Sequence, residues 1–177
     1  MAQVIIGLSG YARSGKDEVA KILVNEYQFK RIAFADAIRD CVYRLNPYID
    51  GEMRVAELVD NYGWEVAKSK EEVRRLLQVF GTEVGRQLFN NDIWVNQVFK
   101  RMYDLNDYVI PDVRFYNEMK SIRQADGEIW RINREGVVAI NTHASESALD
   151  GFDFDHTIEN NGTLDDLKNQ VVTLMER

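Results

Sequence analysis

The chain has 177 residues, which suits one domain with room for a small inserted lobe. Its hydrophobic fraction of 45% is enough for a sizeable core, while no stretch reaches the roughly 18–20 apolar residues that a membrane span requires. The 29 acidic residues outnumber the 22 basic ones, and a net charge of −7 argues against a nucleic-acid polymer as partner, because phosphate neutralisation requires a basic excess.

Short apolar runs and helical patterns alternate in the first third of the chain. Residues 4–8 form an almost continuous apolar run, which is typical of a buried parallel strand. A glycine-rich loop and a helix follow, then a second strand over 31–35 that ends at Asp36 and leads into another helix. This alternation predicts a parallel sheet with helical crossovers.

The middle of the chain, from about residue 53 to residue 103, shows only helical periodicity. We expect helices that are broken at glycine and asparagine positions, namely Gly63, Gly81, Asn90 and Asn91. The pattern predicts a helical insertion over about residues 50–105.

Strands return in the last part of the chain. Three apolar runs predict them: 108–112, 128–132 and 157–158. A helix is expected over 117–124, residues 134–155 are loop-rich and predict a short lid, and Thr163 followed by acids is typical of a helix N-terminus. The fold class that follows is α/β: one domain over residues 1–177, with a parallel sheet of about five strands and helices on both faces.

The strongest signal is the glycine loop after the first predicted strand. Gly10, Gly15 and Lys16 have the spacing G-x-x-x-x-G-K of a loop that cradles phosphate. Glycines let the backbone turn tightly so that its N–H groups face phosphate oxygens, and the following helix adds its positive N-terminal end. Lys16 then reaches the β- and γ-phosphates. We expect ATP contacts from this loop and the turn after it: Gly10, Ala12, Arg13, Ser14, Gly15, Lys16, Asp17 and Glu18.

Asp17 stands where such loops usually place a Ser or Thr that ligates Mg²⁺. A carboxylate is also a hard oxygen ligand and can hold the ion directly or through water. Beside phosphate it is repulsive unless the metal is present, so we expect strict Mg²⁺ dependence with Asp17 as a ligand.

Several further segments support one resemblance. Beside the loop at 9–17 they are RLLQ at 75–78, GTE at 81–83, Arg86, IW at 93–94, DVRF at 112–115, NE at 117–118, HASE at 143–146 and IENNGT at 158–163. With these motifs the chain resembles the bacteriophage-type deoxynucleoside monophosphate kinases, in whose loop Gly-Lys-Asp is a familiar variant. One class of phosphomevalonate kinase shares that loop, so the loop alone does not choose the acceptor.

The resemblance implies a P-loop kinase that transfers the γ-phosphate of ATP to a deoxynucleoside 5′-monophosphate. It implies that Arg75 and Arg86 hold the acceptor phosphate, that Arg131 and Arg134 are lid arginines at the end of the fourth strand, and that His143 helps to order the lid. Two residues would lie beside the adenine: Asn161 and Gly162. In the acceptor segment, Gln78 could read a base edge, and Trp94 could stack on a base or belong to the core.

Asp36 and Asp112 both follow predicted strands, at the sheet edge where open α/β folds bind ligands. Asp112 is the stronger candidate for Mg²⁺ contact or for orienting the acceptor, but the choice between the two acids stays open. Arg114 lies on the same side of an extended chain as Asp112 and is a candidate phosphate ligand. Arg39, one turn into the helix after Asp36, is a weaker candidate for the acceptor phosphate.

Two other functions remain open. The first is a kinase of another phosphorylated metabolite, of the phosphomevalonate or dephospho-coenzyme A type. The second is a non-kinase ATPase module, which usually carries an acid beside the strand-end Asp, where this chain has Val113 and Arg114.

The expected partners are small nucleotides, with no membrane and no nucleic-acid polymer, and the resemblance allows a homodimer. The single cysteine, Cys41, excludes an intrachain disulfide. Since the N-terminus also lacks the pattern of a signal peptide, we expect a cytoplasmic protein.

Overall fold

The computed structural model describes residues 3–138 and 149–176. The elements follow one another as β1 (Ile5–Ser9), α1 (Lys16–Tyr27), β2 (Lys30–Arg31), α2 (Phe34–Leu45), β3 (Tyr48–Ile49), β4 (Met53–Arg54), α3 (Val55–Ala67), α4 (Glu71–Val79), a π-helix (Phe80–Phe89), α5 (Ile93–Arg101), β5 (Tyr108–Ile110), α6 (Tyr116–Gln124), β6 (Glu128–Asn133), β7 (His156–Glu159) and α7 (Leu164–Met175).

The chain divides into two compact units. One, which we call the sheet unit, comprises Met1–Ala33 and Arg101–Arg177, and the other, the helical unit, comprises Phe34–Lys100.

Five strands of the sheet unit form one sheet in the order β2-β5-β1-β6-β7, and every neighbouring pair is parallel. The predicted α/β class with a parallel sheet of five strands is confirmed. In such a sheet all the carboxyl ends of the strands lie along one edge, so the segments after β1, β5, β6 and β7 meet there.

Helices cover both faces of this sheet. On one face, Ile6 and Leu8 of β1 pack with α1 and α7 in a cluster that includes Leu23 and Val171. On the other face, Gly7 leaves room for side chains such as Ile122 of α6, which would collide with a Cβ at that position. Alternate residues of β1 therefore serve opposite faces, as the two-residue period of a strand requires.

The second strand is shorter than the sequence predicts. A strand over 31–35 is wrong: β2 ends at Arg31, and although the Ile32 N–H still donates to Val109 O at 3.1 Å, α2 begins at Phe34. Only residues 32 and 33 separate the end of β2 from the start of α2, which leaves no room for the longer strand. Asp36 therefore lies in the first turn of α2, where an acid is stabilised by the positive end of the helix, and not at a strand end.

The helical unit has its own core of buried apolar side chains, drawn from α2, the short β3–β4 hairpin, α3 and α4: Val42, Ile49, Val55, Leu58, Ala67 and Val73. The hairpin was not predicted, because each of its strands has two residues and carries no readable alternation. The predicted break at Gly63 is confirmed by a positive φ of 77° inside α3, and the break at Asn90 by its extended φ of −161°.

The predicted break at Gly81 is wrong, because the chain continues from α4 directly into the π-helix Phe80–Phe89. A π-helix bonds each carbonyl five residues ahead, so side chains after residue 80 no longer follow α-helical spacing.

Among residues 3–138 and 149–176, none of the helices combines the length and apolar character needed to cross a bilayer. His143, Ser145 and Glu146 lie in the part of the predicted lid, residues 139–148, that falls outside the described residues.

Candidate functional site

The glycine loop joins β1 to α1 at the carboxyl edge of the sheet. Gly10 and Gly15 have φ values of 145° and 108°, which side-chain-bearing residues rarely adopt. A Cβ on Gly10 would collide with Ile132 O, and one on Gly15 would collide with the Asn160 side chain. The two glycines are thus required both by backbone conformation and by the close approach of neighbouring strands.

Lys16, the first residue of α1, folds its side chain back over the loop. Its Nζ donates to Gly10 O at 2.7 Å and to Tyr11 O at 2.7 Å. The ammonium therefore lies at the mouth of the loop, where the N-terminal N–H groups of α1 also converge. An anionic group at this place meets one full positive charge and the positive end of a helix.

Ser14 lies at the base of the loop and is 1% exposed. Its Oγ has no hydrogen-bond partner among the described residues, which is unusual for a buried hydroxyl. Its carbonyl accepts from Asn160 Nδ2 at 2.8 Å. Asn160 follows β7, so this hydrogen bond links the loop to the end of another strand. The sequence analysis assigned this role to no residue.

Asp17 and Glu18 occupy the first turn of α1. Asp17 is exposed, and Glu18 pairs with Lys21 across the helix surface, Oε1 to Nζ, at 2.6 Å. No group of three or more His, Cys, Asp or Glu side chains able to hold a metal occurs among the described residues. The single Asp17 carboxylate fits Mg²⁺, which is usually bound through one or two carboxylates together with substrate phosphates.

Arg131 lies on β6, in register with Ser9, the last residue of β1. Its side chain is only 11% exposed, and its Nη2 donates to Asp150 Oδ1 at 3.0 Å. The same carboxylate accepts the Tyr11 hydroxyl at 2.6 Å, and this hydrogen bond is the main reason why the pKa of Tyr11 is raised. Arg131 is therefore held at the loop by an acid that the sequence interpretation did not select.

The other residues expected near the adenine and the lid lie at neighbouring strand ends. Arg134 follows β6 and is exposed. Asn161, after β7, accepts the Glu135 N–H on its Oδ1 at 2.7 Å. Gly162 precedes α7, and a Cβ there would collide with the Asp166 carboxylate, which caps that helix together with Thr163.

The segment after β5 contributes Asp112 and Arg114 to the same edge of the sheet. Its backbone is fixed by Glu118, a carboxylate that is only 2% exposed and accepts the N–H groups of Arg114 at 2.7 Å and Phe115 at 3.0 Å. Arg114 is exposed, and Asp112 is half-buried. The sheet unit thus places Lys16 after β1, Arg114 after β5 and Arg131 on β6, level with the end of β1; the expectation that Arg131 lies at the end of its strand is wrong, because β6 continues to Asn133.

In the helical unit, Asp36 and Arg39 lie one turn apart on α2, with Oδ1 and Nη1 at 3.8 Å. The Arg39 side chain is 20% exposed, and within the described ranges its buried Nε lacks a hydrogen-bond partner.

Arg75 and Gln78 lie three residues apart on α4 and are both exposed. Arg75 forms a two-pronged ion pair with Glu72, at 2.8 Å from Nε and 2.7 Å from Nη2. The hydrogen bond from Arg75 is the first cause of the lowered pKa of Glu72, and the pKa of Arg75 is raised in return. A ligand that binds Arg75 by its fork must displace this carboxylate.

Arg86 and Trp94 belong to the π-helix and to α5. Arg86 Nη1 donates to Asn91 O at 3.0 Å. Trp94 is 3% exposed, its ring lies against Gly85, and its indole N–H donates to Gly81 O at 2.7 Å. Burial and the bonded indole N–H favour the packing role among the two that the spacing of Trp94 left open.

A family model described as deoxynucleotide monophosphate kinase matches residues 50–171, which include most of the helical unit and the strands β5, β6 and β7. The match favours a nucleotide as acceptor over the phosphomevalonate and dephospho-coenzyme A alternatives.

Individual relatives point the same way. A protein of Acanthamoeba polyphaga mimivirus that carries this family's name is 29% identical over 98% of the chain and 96% of its own length. The deoxynucleotide monophosphate kinase of Enterobacteria phage T4 is 31% identical over 56% of the chain, and the aligned part covers 43% of that enzyme. The chain thus matches less than half of the phage T4 protein.

Among solved structures, the shikimate kinase of Aquifex aeolicus vf5 superposes with a TM-score of 0.51 at 11% identity, over 97% of the chain and 96% of the shikimate kinase. At this identity the likeness establishes the fold, a P-loop kinase fold, and nothing about the substrate.

Proposed function

Because the chain belongs to the deoxynucleotide monophosphate kinase family, we propose that its glycine loop holds ATP and passes the γ-phosphate to the 5′-phosphate of a deoxynucleoside monophosphate. The bond between the β,γ-bridging oxygen and the γ-phosphorus breaks, a bond from an acceptor phosphate oxygen to that phosphorus forms, and ADP leaves with the bridging oxygen. The chain is thus an ATP-dependent phosphotransferase of nucleotides.

The observation that carries the donor assignment is the position of Lys16 Nζ, bonded to Gly10 O and Tyr11 O over the N-terminus of α1. Phosphoryl transfer needs little covalent chemistry from the protein, so positioned positive charge supplies most of the catalysis. Lys16 has that charge and remains tethered to the loop that would cradle the phosphates. Ala12, Arg13, Ser14 and Gly15 would surround the same phosphates by their backbone.

We propose that Mg²⁺ accompanies ATP and that Asp17 helps to hold it, because the carboxylate is exposed at the start of α1. When bound, the ion supplies charge neutralisation at the phosphates. Asp112 is the second oxygen ligand or the group that orients the acceptor. Asp36 becomes the weaker choice for orientation, since it lies within a helix and not at a strand end.

Arg131 and Arg134 are proposed to neutralise the transferring phosphate, and Arg114 to hold an acceptor or donor phosphate oxygen. All three lie on or after strands whose carboxyl ends share the edge of the loop. Guanidinium groups suit this role because their donors match phosphate oxygens in pairs. Asn161 and Gly162 would border the adenine.

For the acceptor we propose Arg75 and Arg86 as phosphate ligands, Gln78 as a reader of the base edge, and Arg39 as an additional cation. These residues lie in the helical unit, in or next to the segment that the family model matches. Trp94 enters this proposal only as a support of the π-helix that carries Arg86.

The test is a substrate panel. The protein is incubated with ATP and Mg²⁺ against dAMP, dGMP, dCMP, dTMP, the four ribonucleotides, phosphomevalonate and dephospho-coenzyme A, and ADP release is followed. We expect turnover with at least one deoxynucleotide, none without Mg²⁺, and slow hydrolysis of ATP without an acceptor, since an open site would waste ATP on water. No turnover with any nucleotide, or rapid hydrolysis without an acceptor, would overturn the proposal.

The same protein preparation addresses assembly and partners. We propose that it acts on free nucleotides in the cytoplasm, without a nucleic-acid polymer or a membrane, and the family resemblance allows a homodimer. Sedimentation at several protein concentrations would distinguish a dimer from a monomer.

A further inference from the structure

We propose that Asp150 is a positioning residue for phosphoryl transfer, because it holds the Arg131 guanidinium beside the glycine loop. The inference rests on the proposed function, in which Arg131 neutralises the transferring phosphate. Asp150 does not itself touch a phosphate in this proposal and acts only through Arg131.

The Asp150 carboxylate uses both oxygens, and it uses them on two different elements. Oδ1 accepts Arg131 Nη2 from β6 at 3.0 Å, and Oδ2 accepts the Tyr11 hydroxyl from the loop at 2.6 Å. A single side chain therefore fixes the distance between an arginine of β6 and the loop expected to hold the phosphates. Charged hydrogen bonds of this kind are about twice as strong as neutral ones.

Aromatic rings complete the enclosure of the arginine. The Arg131 guanidinium carbon lies 5.0 Å from the centre of the Tyr11 ring and 5.3 Å from that of Phe154. Both distances are within the range of a cation–π attraction. With two rings beside it and 11% of its side chain exposed, the guanidinium has few alternative positions.

The remaining donors of Arg131 are only weakly used. Nη1 to Ser9 Oγ and Nε to Asn133 Oδ1 are both 3.4 Å, near the limit of a hydrogen bond. In the part of the chain that the structure describes, Asp150 is the one carboxylate recorded in an ion pair with Arg131. Asp150 thus fixes the Nη2 arm of the fork, while Nη1 and Nε, with only weak partners, could bind a phosphate oxygen.

The same contacts allow the opposite role, in which Asp150 competes with phosphate for Arg131 and lowers activity. The two roles predict opposite signs. If Asp150 positions Arg131, its removal lowers kcat, because a catalytic cation displaced by about 1 Å can lose about a hundredfold in rate. If Asp150 sequesters Arg131, its removal raises kcat or tightens ATP binding.

The experiment is a double-mutant cycle with the full chain, using Asp150→Asn, Arg131→Gln and both together, with kcat and KM measured for ATP and for the best deoxynucleotide. We expect Asp150→Asn to lower kcat about tenfold to a hundredfold with little change in the KM of the deoxynucleotide. In the Arg131→Gln background the same substitution should change kcat by less than about twofold. An undiminished effect in that background, or a rise in kcat in Asp150→Asn alone, would overturn the inference.

Three further variants separate positioning from folding. Asp150→Glu should recover part of the lost kcat, and Tyr11→Phe, which removes only the hydroxyl, should lower kcat by a few-fold. Glu26→Gln is the matched control, because Glu26 is 41% exposed, similar to the 38% of Asp150, and also forms one ion pair in the sheet unit. Loss of kcat in Glu26→Gln equal to that in Asp150→Asn would assign the effect to general instability and overturn the inference.

The outcome is separable from that of the substrate panel. If wild-type protein transfers phosphate and the cycle shows no coupling, only the role of Asp150 fails. If wild-type protein transfers none to any nucleotide, the proposed function itself fails.

Discussion

The glycine loop and the helical unit present their candidate residues in different ways. The loop is organised mainly by its backbone: two glycines have positive φ, two carbonyls accept Lys16 Nζ, and the N-terminus of α1 follows. In the helical unit, the candidates are long side chains already bound to local partners, Arg75 to Glu72 and Arg86 to Asn91 O. The donor region is therefore organised before a ligand arrives, while the acceptor region must exchange partners.

This difference has an energetic consequence. A backbone cradle gains little from any one side chain except the lysine, so substitutions there act by removing charge or by distorting the turn. An acceptor arginine that leaves a carboxylate for a phosphate gains only the difference between two charged hydrogen-bonded pairs. We therefore expect large effects on kcat from the loop and smaller effects on KM from the helical unit.

The largest effect is expected for Lys16→Ala, which removes the charge over the loop. Turnover with the best deoxynucleotide should fall by about a thousandfold, as for loss of a major transition-state donor, while the melting temperature stays near that of the wild type. Steady-state kinetics and thermal unfolding measure the two quantities. Lys168→Ala is the matched control, because its Nζ pairs with Glu26 at 2.6 Å on the surface of the same unit. More than a tenth of wild-type turnover in Lys16→Ala would mean that the loop does not hold the donor.

The second effect concerns the shape of the loop and compares Gly15→Ala with Gly51→Ala. Both glycines have positive φ, 108° and 77°, so each substitution should cost about 1–2 kcal/mol of backbone strain. Only Gly15 has a neighbour that an added Cβ would meet, the Asn160 side chain, whereas nothing lies within 4 Å of such an atom at Gly51. We expect ATP affinity, measured by calorimetry, to be lost in Gly15→Ala and retained in Gly51→Ala. Equal ATP affinity in the two variants would contradict the expectation that the shape of the loop determines ATP binding.

The loop could be predicted from the sequence more fully than the helical unit, because its conformation depends on residues close together in the chain. That conformation depends on glycine, lysine and spacing within eight residues. Asp112 could be located because strand ends of a parallel sheet share an edge, and Asn160, after β7, could have been found by the same rule. The α/β class and four of the five parallel strands followed from apolar runs between helical patterns, whereas the second strand was predicted over 31–35 and lies at Lys30–Arg31.

Three features could not be predicted because they depend on tertiary packing. Gly81 continues a helix instead of ending it, because the Trp94 indole N–H binds its carbonyl and the π-helix accommodates that ring against Gly85. Asp36 falls in a helix because α2 begins at Phe34, soon after β2 ends at Arg31. Asp150 is 19 residues from Arg131 and 139 from Tyr11, and no local pattern marks such a pairing.

The third effect lies in the helical unit and asks whether Arg75 exchanges Glu72 for a phosphate. Arg75→Gln should raise the KM of the deoxynucleotide about tenfold and leave the KM of ATP unchanged, since one charged contact is lost. Glu72→Gln should act in the opposite direction and lower that KM by a few-fold, because the guanidinium no longer has to leave a carboxylate. Steady-state kinetics with each substrate varied in turn measures both. An increase in KM in both variants would mean that the Arg75–Glu72 pair is structural.

The smallest effect on catalysis is expected at Asp104, and it separates the stability of the sheet unit from its donor site. Asp104 lies before β5; its Oδ2 accepts Lys30 Nζ at 2.6 Å and its Oδ1 accepts the Tyr108 hydroxyl at 2.8 Å. The hydrogen bond from Lys30, followed by those from Asn106 and Tyr108, holds the pKa of Asp104 well below its usual range. A depressed pKa in the folded state means that the carboxylate stabilises the fold above its unfolded pKa, about 3.9, and that this contribution is lost as pH falls through the folded pKa.

The Asp104→Asn variant should therefore melt at a lower temperature than the wild type at pH 7, and the difference in melting temperature should shrink as pH falls below about 4. Both KM values should be unchanged. Thermal unfolding from pH 7 to pH 2 measures the gap, with Glu26→Gln as an exposed ion-pair control, and a gap that stays constant down to pH 2 would contradict the assignment.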